Sequence, residues 1–170
     1  NYFEIHGIKS VSPTQINKFR RSPARWLTNV AGYSEPLYKP AFTFGNAIEQ
    51  GITQAVMGET NFNSCVQKAM EEFDIVKKIK PDNYDWDLHA SKQDRVISVL
   101  NEIIPLYKKI GKPQEAQLDV TYQFENSPVL LKGRIDFLYE DYVRDLKTCA
   151  KRPLDVSEDY CLQLAFYSLA

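Results

Sequence analysis

Two carboxylates and a lysine stand close together in the sequence: Asp136 in Gly133-Arg134-Ile135-Asp136, then Asp145 and Lys147 in Asp145-Leu146-Lys147. Between them, Phe137-Leu138-Tyr139-Glu140-Asp141-Tyr142-Val143 sets aromatic and β-branched residues around a short acidic break, the pattern of two strands joined by a hairpin. An even-length loop centred on Glu140-Asp141 sets Asp136 opposite Asp145 and Arg134 opposite Lys147 on one face. An odd loop shifts this pairing by one residue. Facing carboxylates repel unless a cation lies between them, and a divalent metal beside a lysine would both relieve the repulsion and support hydrolysis. The alternative is a surface cross-strand salt network of little energetic weight.

Other elements must position these groups. Ser12-Pro13 is a helix start, a hydroxyl cap followed by proline at the first helical position, and Ser22-Pro23 repeats it before a second short helix. Lys18, Arg20, Arg21 and Arg25 make this region basic beside Phe19 and Trp26, either as a solvated face packing its aromatics inward or as a phosphate contact. A loop is expected over residues 32–43, then a helix from about Phe44 to Met57 with Ala47, Ile48, Gly51, Ile52, Ala55 and Val56 inside. Glu49 borders that stripe, one turn beyond Gly45, where a small residue leaves room for a metal or a phosphate. Helices are expected over 62–80 and from about Leu88 to Ile110, the latter kinked or divided at Pro105. His6 and His89 lack partners at ligand spacing and are expected at the surface.

Beyond Gly111 the period changes. Ala116, Leu118, Val120, Tyr122 and Phe124 alternate along a half-buried strand that opens at Glu115, a weaker acidic candidate. Val129–Tyr139 is the next strand and leads into the hairpin. Ala150 to Glu158 connects to a final helix from about Asp159, which carries Gln163 and Tyr167 four apart on one face. Helices, three antiparallel strands and a helix predict an α/β or α+β architecture with helices on the sheet.

The 170 residues suit one domain, 44% hydrophobic and 25% charged, as in ordinary globular proteins. A net charge of −1 disfavours a protein that holds nucleic acid by phosphate contacts alone, but not a nuclease that neutralises phosphate with metal. No apolar run approaches the roughly 18 residues of a membrane span, so no membrane partner is expected. Cys65, Cys149 and Cys161 have no CxxC spacing and suit reduced thiols in an intracellular, cytoplasmic protein, with an organelle left open. The chain begins without methionine and stops in an apolar helical run, as expected of a domain truncated at its C-terminus.

Gly45-x-x-x-Glu49, Gly133-x-x-Asp136, Asp145-x-Lys147 and Gln163-x-x-x-Tyr167 occur in this order. Together they resemble the PD-(D/E)XK phosphodiesterase superfamily, in particular its RecB-like exonuclease branch, which includes the RecB and AddAB nuclease domains and the mitochondrial genome maintenance exonuclease. Ser12-Pro13-Thr14-Gln15 and Ser22-Pro23-Ala24-Arg25-Trp26 are similar to that branch's N-terminal helix. The resemblance implies a single nuclease domain over 1–170, with a restriction-endonuclease-like core: a mixed sheet with an antiparallel hairpin, flanked by helices, after a helical N-terminal half. That branch usually has histidine where Glu49 stands, and glutamate is the acidic alternative of phage-type exonucleases. Some relatives hold an iron–sulfur cluster through a cysteine at the position of Ser22, so no cluster is expected here.

The resemblance further implies that Glu49, Asp136, Asp145 and the Leu146 carbonyl hold Mg²⁺ or Mn²⁺, for which hard oxygen ligands are suited. Lys147 would activate water or stabilise the phosphate, Gln163 and Tyr167 would hold the substrate backbone, and Arg134 and Arg20 are candidate phosphate contacts. The implied partner is DNA, as single-stranded or duplex ends, with the oligomeric state open. Three functions fit: a metal-dependent DNA exonuclease, an endonuclease of the same superfamily, or a non-catalytic nucleic-acid-binding or assembly module.

Overall fold

The computed structural model describes residues 2–33, 37–149, 151 and 153–170. Of the expected loop and connection, residues 34–36, Ala150 and Arg152 lie outside the described residues. The architecture is mixed α/β, a four-stranded mixed sheet flanked by helices. After a short helix α1 (Tyr2–Ile5) and strand β1 (Ser10–Val11), the two proline-led helices are α2 (Pro13–Arg21) and α3 (Pro23–Val30). Ser12 caps α2 in a capping box with Gln15, each side chain bonding the other's backbone N–H. Ser22 caps α3 by position only, without a side-chain hydrogen bond.

Helix α4 (Pro40–Met57) begins four residues earlier than its apolar stripe suggests, because Pro40 supplies the preset φ of a first helical position. It packs with α5 (Phe62–Phe73) and α7 (Trp86–Ile110), while α6 (Ile75–Ile79) is cut from α5 at Asp74. Helix α7 runs unbroken through Pro105. The carbonyl that loses its partner belongs to the exposed Asn101, which water can satisfy. Ala47, Ile48, Ile52, Phe73, Val96 and Leu100 centre this helical core, which Phe137 and Tyr139 join from the sheet.

Strand β3 (Leu130–Leu138) is the hub of the sheet. Strand β2 (Glu115–Tyr122) pairs antiparallel along one edge, and β4 (Val143–Arg144) pairs antiparallel at the far end. Sequence reasoning expected three antiparallel strands; β1 adds a parallel fourth at Leu130–Leu131. A second apolar cluster joins Leu131 and Ile135 of β3 to Phe166 and Tyr167 of α8 (Glu158–Tyr167). The basic N-terminal helices do not turn both aromatics inward: Trp26 is buried, whereas Phe19 is exposed. No described helix is long and apolar enough to cross a membrane.

His89 corrects a surface expectation. It is 2% exposed, its ring stacked on Phe73 at 4.0 Å and its Nδ1 2.9 Å from the Tyr84 hydroxyl, which lies 3.1 Å from the Thr43 hydroxyl. Nε2 is buried without a hydrogen-bond partner among the described residues. Period and spacing could not show this, because the pocket is made by α4, α5 and the segment before α7. Burial, then the Lys77 ammonium, hold its pKa below the ordinary 6.5, against the Asp74 carboxylate. Above about pH 6.5 folded and unfolded states both carry neutral imidazole. As the pH falls below that value the unfolded chain takes up a proton that the fold resists, so stability should drop with acidification. Urea midpoints measured across that range should show the drop, and His89→Phe should flatten it.

Candidate active site

The hairpin has the even-loop register. Phe137 pairs with Arg144 and Leu138 with Val143, while the Tyr139 N–H donates to the Tyr142 carbonyl across Glu140-Asp141. The ladder ends at Arg144, however, so Arg134 does not pair with Lys147. The Leu146 N–H turns instead to the Asp136 carboxylate, at 2.6 Å from Oδ2. Asp136 is 8% exposed. Burial, with Glu49 and Asp145 as like charges, pushes its pKa up to about 6 against the Leu146 N–H and Lys147.

Asp145 lies beside it. Its Oδ2 is ion-paired with Lys147, and its Oδ1 accepts from the Gln163 amide at 3.1 Å. Gln163 gives a second hydrogen bond to the Tyr167 hydroxyl at 2.7 Å, and that hydroxyl donates to the Arg134 carbonyl of β3. Tyr167 is therefore a buried anchor between α8 and the sheet. Glu49 accepts from Gln117, and burial raises its pKa while Gln117 and Lys147 oppose and Asp145 reinforces the shift.

Gln117 was not singled out in the sequence. It has a left-handed backbone (φ 56°), and the β2–β3 ladder skips its pairing with Asp136. At this point both strands exchange faces. Leu118 and Ile135 pack toward α8, whereas Ala116 and Phe137 pack into the helical core. Regular alternation would have kept Ala116 and Leu118 on one side. The kink lets Gln117 reach Glu49 while Asp136 is buried. A polar residue amid alternating apolar ones was the only signal.

Two glycines allow the close packing. A Cβ on Gly133 would meet Phe166 Cε1 at 2.5 Å, and one on Gly45 would meet the Thr148 hydroxyl at 2.9 Å. The small residue one turn before Glu49 therefore makes room for Thr148.

The structure brings together Glu49, Asp136, Asp145, Lys147, Gln163 and Tyr167. Arg134 points its guanidinium to Asp119, at 2.7 Å, on the exposed sheet. Arg20 pairs with Glu158, and Glu115 is exposed at the strand start. The three carboxylates are hard oxygen donors, chemically suited to Mg²⁺ or Mn²⁺. Among the described residues no three His, Cys, Asp or Glu side chains stand grouped for metal binding. Each carboxylate instead meets a protein donor, and a cation would replace some of those bonds.

The family model for the PD-(D/E)XK nuclease superfamily matches residues 10–170. No curated protein matches the chain, and no solved structure does.

Two substitutions test this geometry. Gly133→Ala forces the buried Phe166 and Tyr167 rings away from β3 and should cost about 1–3 kcal/mol in chemical denaturation. For Asp136, stability is lost as the pH rises from the ordinary carboxyl value through about 6, because the fold then holds an unwanted charge. Asp136→Asn should therefore stabilise the metal-free protein at neutral pH by on the order of 2–3 kcal/mol, and this gain should vanish in acid.

Proposed function

The chain belongs to the PD-(D/E)XK nuclease superfamily, and we propose that it is a divalent-metal-dependent exonuclease acting on DNA. The observation that carries this reading is Asp136, a buried carboxyl raised to about 6 beside Glu49 and Asp145, with Lys147 as the adjoining cation. Such clustering is unfavourable for stability alone and is expected where carboxylates await a cation. The exonuclease assignment is supported by the RecB-like order of motifs and the helical N-terminal half.

In this reading Glu49, Asp136, Asp145 and the Leu146 carbonyl hold Mg²⁺ or Mn²⁺. The bound ion would supply Lewis acidity toward the phosphate and lower the pKa of the attacking water. Lys147, 38% exposed and paired with Asp145, orients that water and offsets charge building on the phosphate oxygens. Gln163 fixes the Asp145 carboxylate, and Tyr167 fixes Gln163 against the strand. Gln117 holds Glu49 in place. Arg134 and Arg20 contact substrate phosphate by exchanging their present carboxylate partners, Asp119 and Glu158.

Purified protein with Mn²⁺ should degrade end-labelled linear DNA and leave covalently closed circles intact. Lys147→Ala should lower the rate by roughly 10²–10³-fold without altering the circular dichroism spectrum. Mn²⁺ should also raise the melting temperature of the wild type and leave that of Asp136→Ala unchanged. Cleavage of closed circles would reassign the protein as an endonuclease. Absence of cleavage would overturn the nuclease reading, and absence of the thermal shift would overturn the metal site at Asp136.

A further inference from the structure

A groove of about 340 Å³ runs between α2 and α8. Thr14 and Lys18 line it from α2, and Tyr160 and Gln163 from α8. Lys147 also lines it, and Lys147 and Gln163 both bind Asp145, so the groove opens directly on the acidic centre. We propose that this groove is a subsite for the end of a single nucleic-acid strand, with Tyr160 as the stacking platform for a base and Lys18 as a phosphate contact. The assignment rests on the nuclease reading and adds to it the class of substrate end and two residues.

Three observations support it. First, the charge is right: Lys18, Arg21 and Lys147 line the groove, and with Arg21 paired to Asp159 and Lys147 to Asp145, Lys18 is left to meet a phosphate. Lys18 has no ion-pair partner among the described residues, unlike Arg20 and Arg21. Second, Tyr160 is 36% exposed and lies with the Lys147 Nζ over its ring, 5.7 Å from the centroid. A cationic groove with an exposed aromatic ring is the combination that holds single strands, phosphate on the cations and base on the ring.

Third, the walls limit what can enter. Arg21–Asp159 ties α2 to α8 at the groove, and the Asn17 amide donates to the Asp159 carbonyl at 3.4 Å. The volume lies at the small end of the roughly 300–1,000 Å³ of ligand clefts, room for a nucleotide rather than a paired duplex. A duplex end would have to give up one strand, and the unpaired end passes Tyr160 to reach Lys147.

The test is steady-state hydrolysis, with Mn²⁺, of an end-labelled single-stranded oligonucleotide and of the same sequence as a blunt duplex. Wild type should prefer the single strand. Tyr160→Ala should raise KM for it about tenfold, with a much smaller effect on kcat, and Tyr160→Phe, which keeps the ring, should restore it. Lys18→Ala should raise KM and reduce the dependence of log KM on log salt by about 0.7. Hydrolysis that prefers the blunt duplex, or KM values unchanged in both Tyr160→Ala and Lys18→Ala, would overturn the subsite while leaving the nuclease reading intact. A wild type without any hydrolysis would overturn both.

Discussion

Burial of the Asp136 carboxylate constrains the rest of this structure. A carboxylate inside a sheet needs hydrogen-bond donors, and the nearest available one is the Leu146 N–H. Giving that N–H to a side chain stops the ladder after the two residues of β4, and the chain peels away from β3. That departure carries Asp145 and Lys147 to the side chains of α8, where Gln163 meets Asp145. The short β4 is therefore a consequence of the acidic centre. Glu49 and Asp145 add negative charge around Asp136, and Lys147 and the Leu146 N–H offset only part of it.

Close approach of the helices is the second requirement. Gly133 lets the rings of Phe166 and Tyr167 lie against the strand, and the Tyr167 hydroxyl then bonds the Arg134 carbonyl. Gly45 lets Thr148 lie against α4, so the segment carrying Asp145 and Lys147 passes close to the helix that bears Glu49. At Gln117 a left-handed residue reverses the facing of two strands and brings an amide to Glu49. Each of these is a contact between distant parts of the chain, and each serves one acidic centre. At the first turn of α8, the Arg20–Glu158 and Arg21–Asp159 pairs join that helix to α2. Exposed pairs of this kind add little stability.

Much of the plan was legible from local chemistry. Ser12-Pro13 and Pro23 start helices because a preset φ and a missing N–H suit a first turn wherever they occur. The hairpin followed from aromatic and β-branched residues around an acidic break, and the structure chose the even of its two possible registers. Other features were not legible. The helix over 62–80 breaks at Asp74, and β1 is too short to show a period. His89 is buried by residues from two other helices, and Arg134 finds its carboxylate on a neighbouring strand.

By itself, the sequence determined most of the order of helices and strands, a hairpin around Glu140-Asp141 and the set of groups able to do chemistry, because these depend on nearest neighbours and on residue type. Only the tertiary structure decided which of those groups converge. Tyr167 became an anchor, Arg20 and Arg134 were drawn to Glu158 and Asp119, and Gln117 and Tyr160 gained positions at the centre. The physical reason is that hydrogen-bond and ion-pair partners are chosen by distance in space, and burial by what packs on top. Neither is a property of residue spacing along the chain.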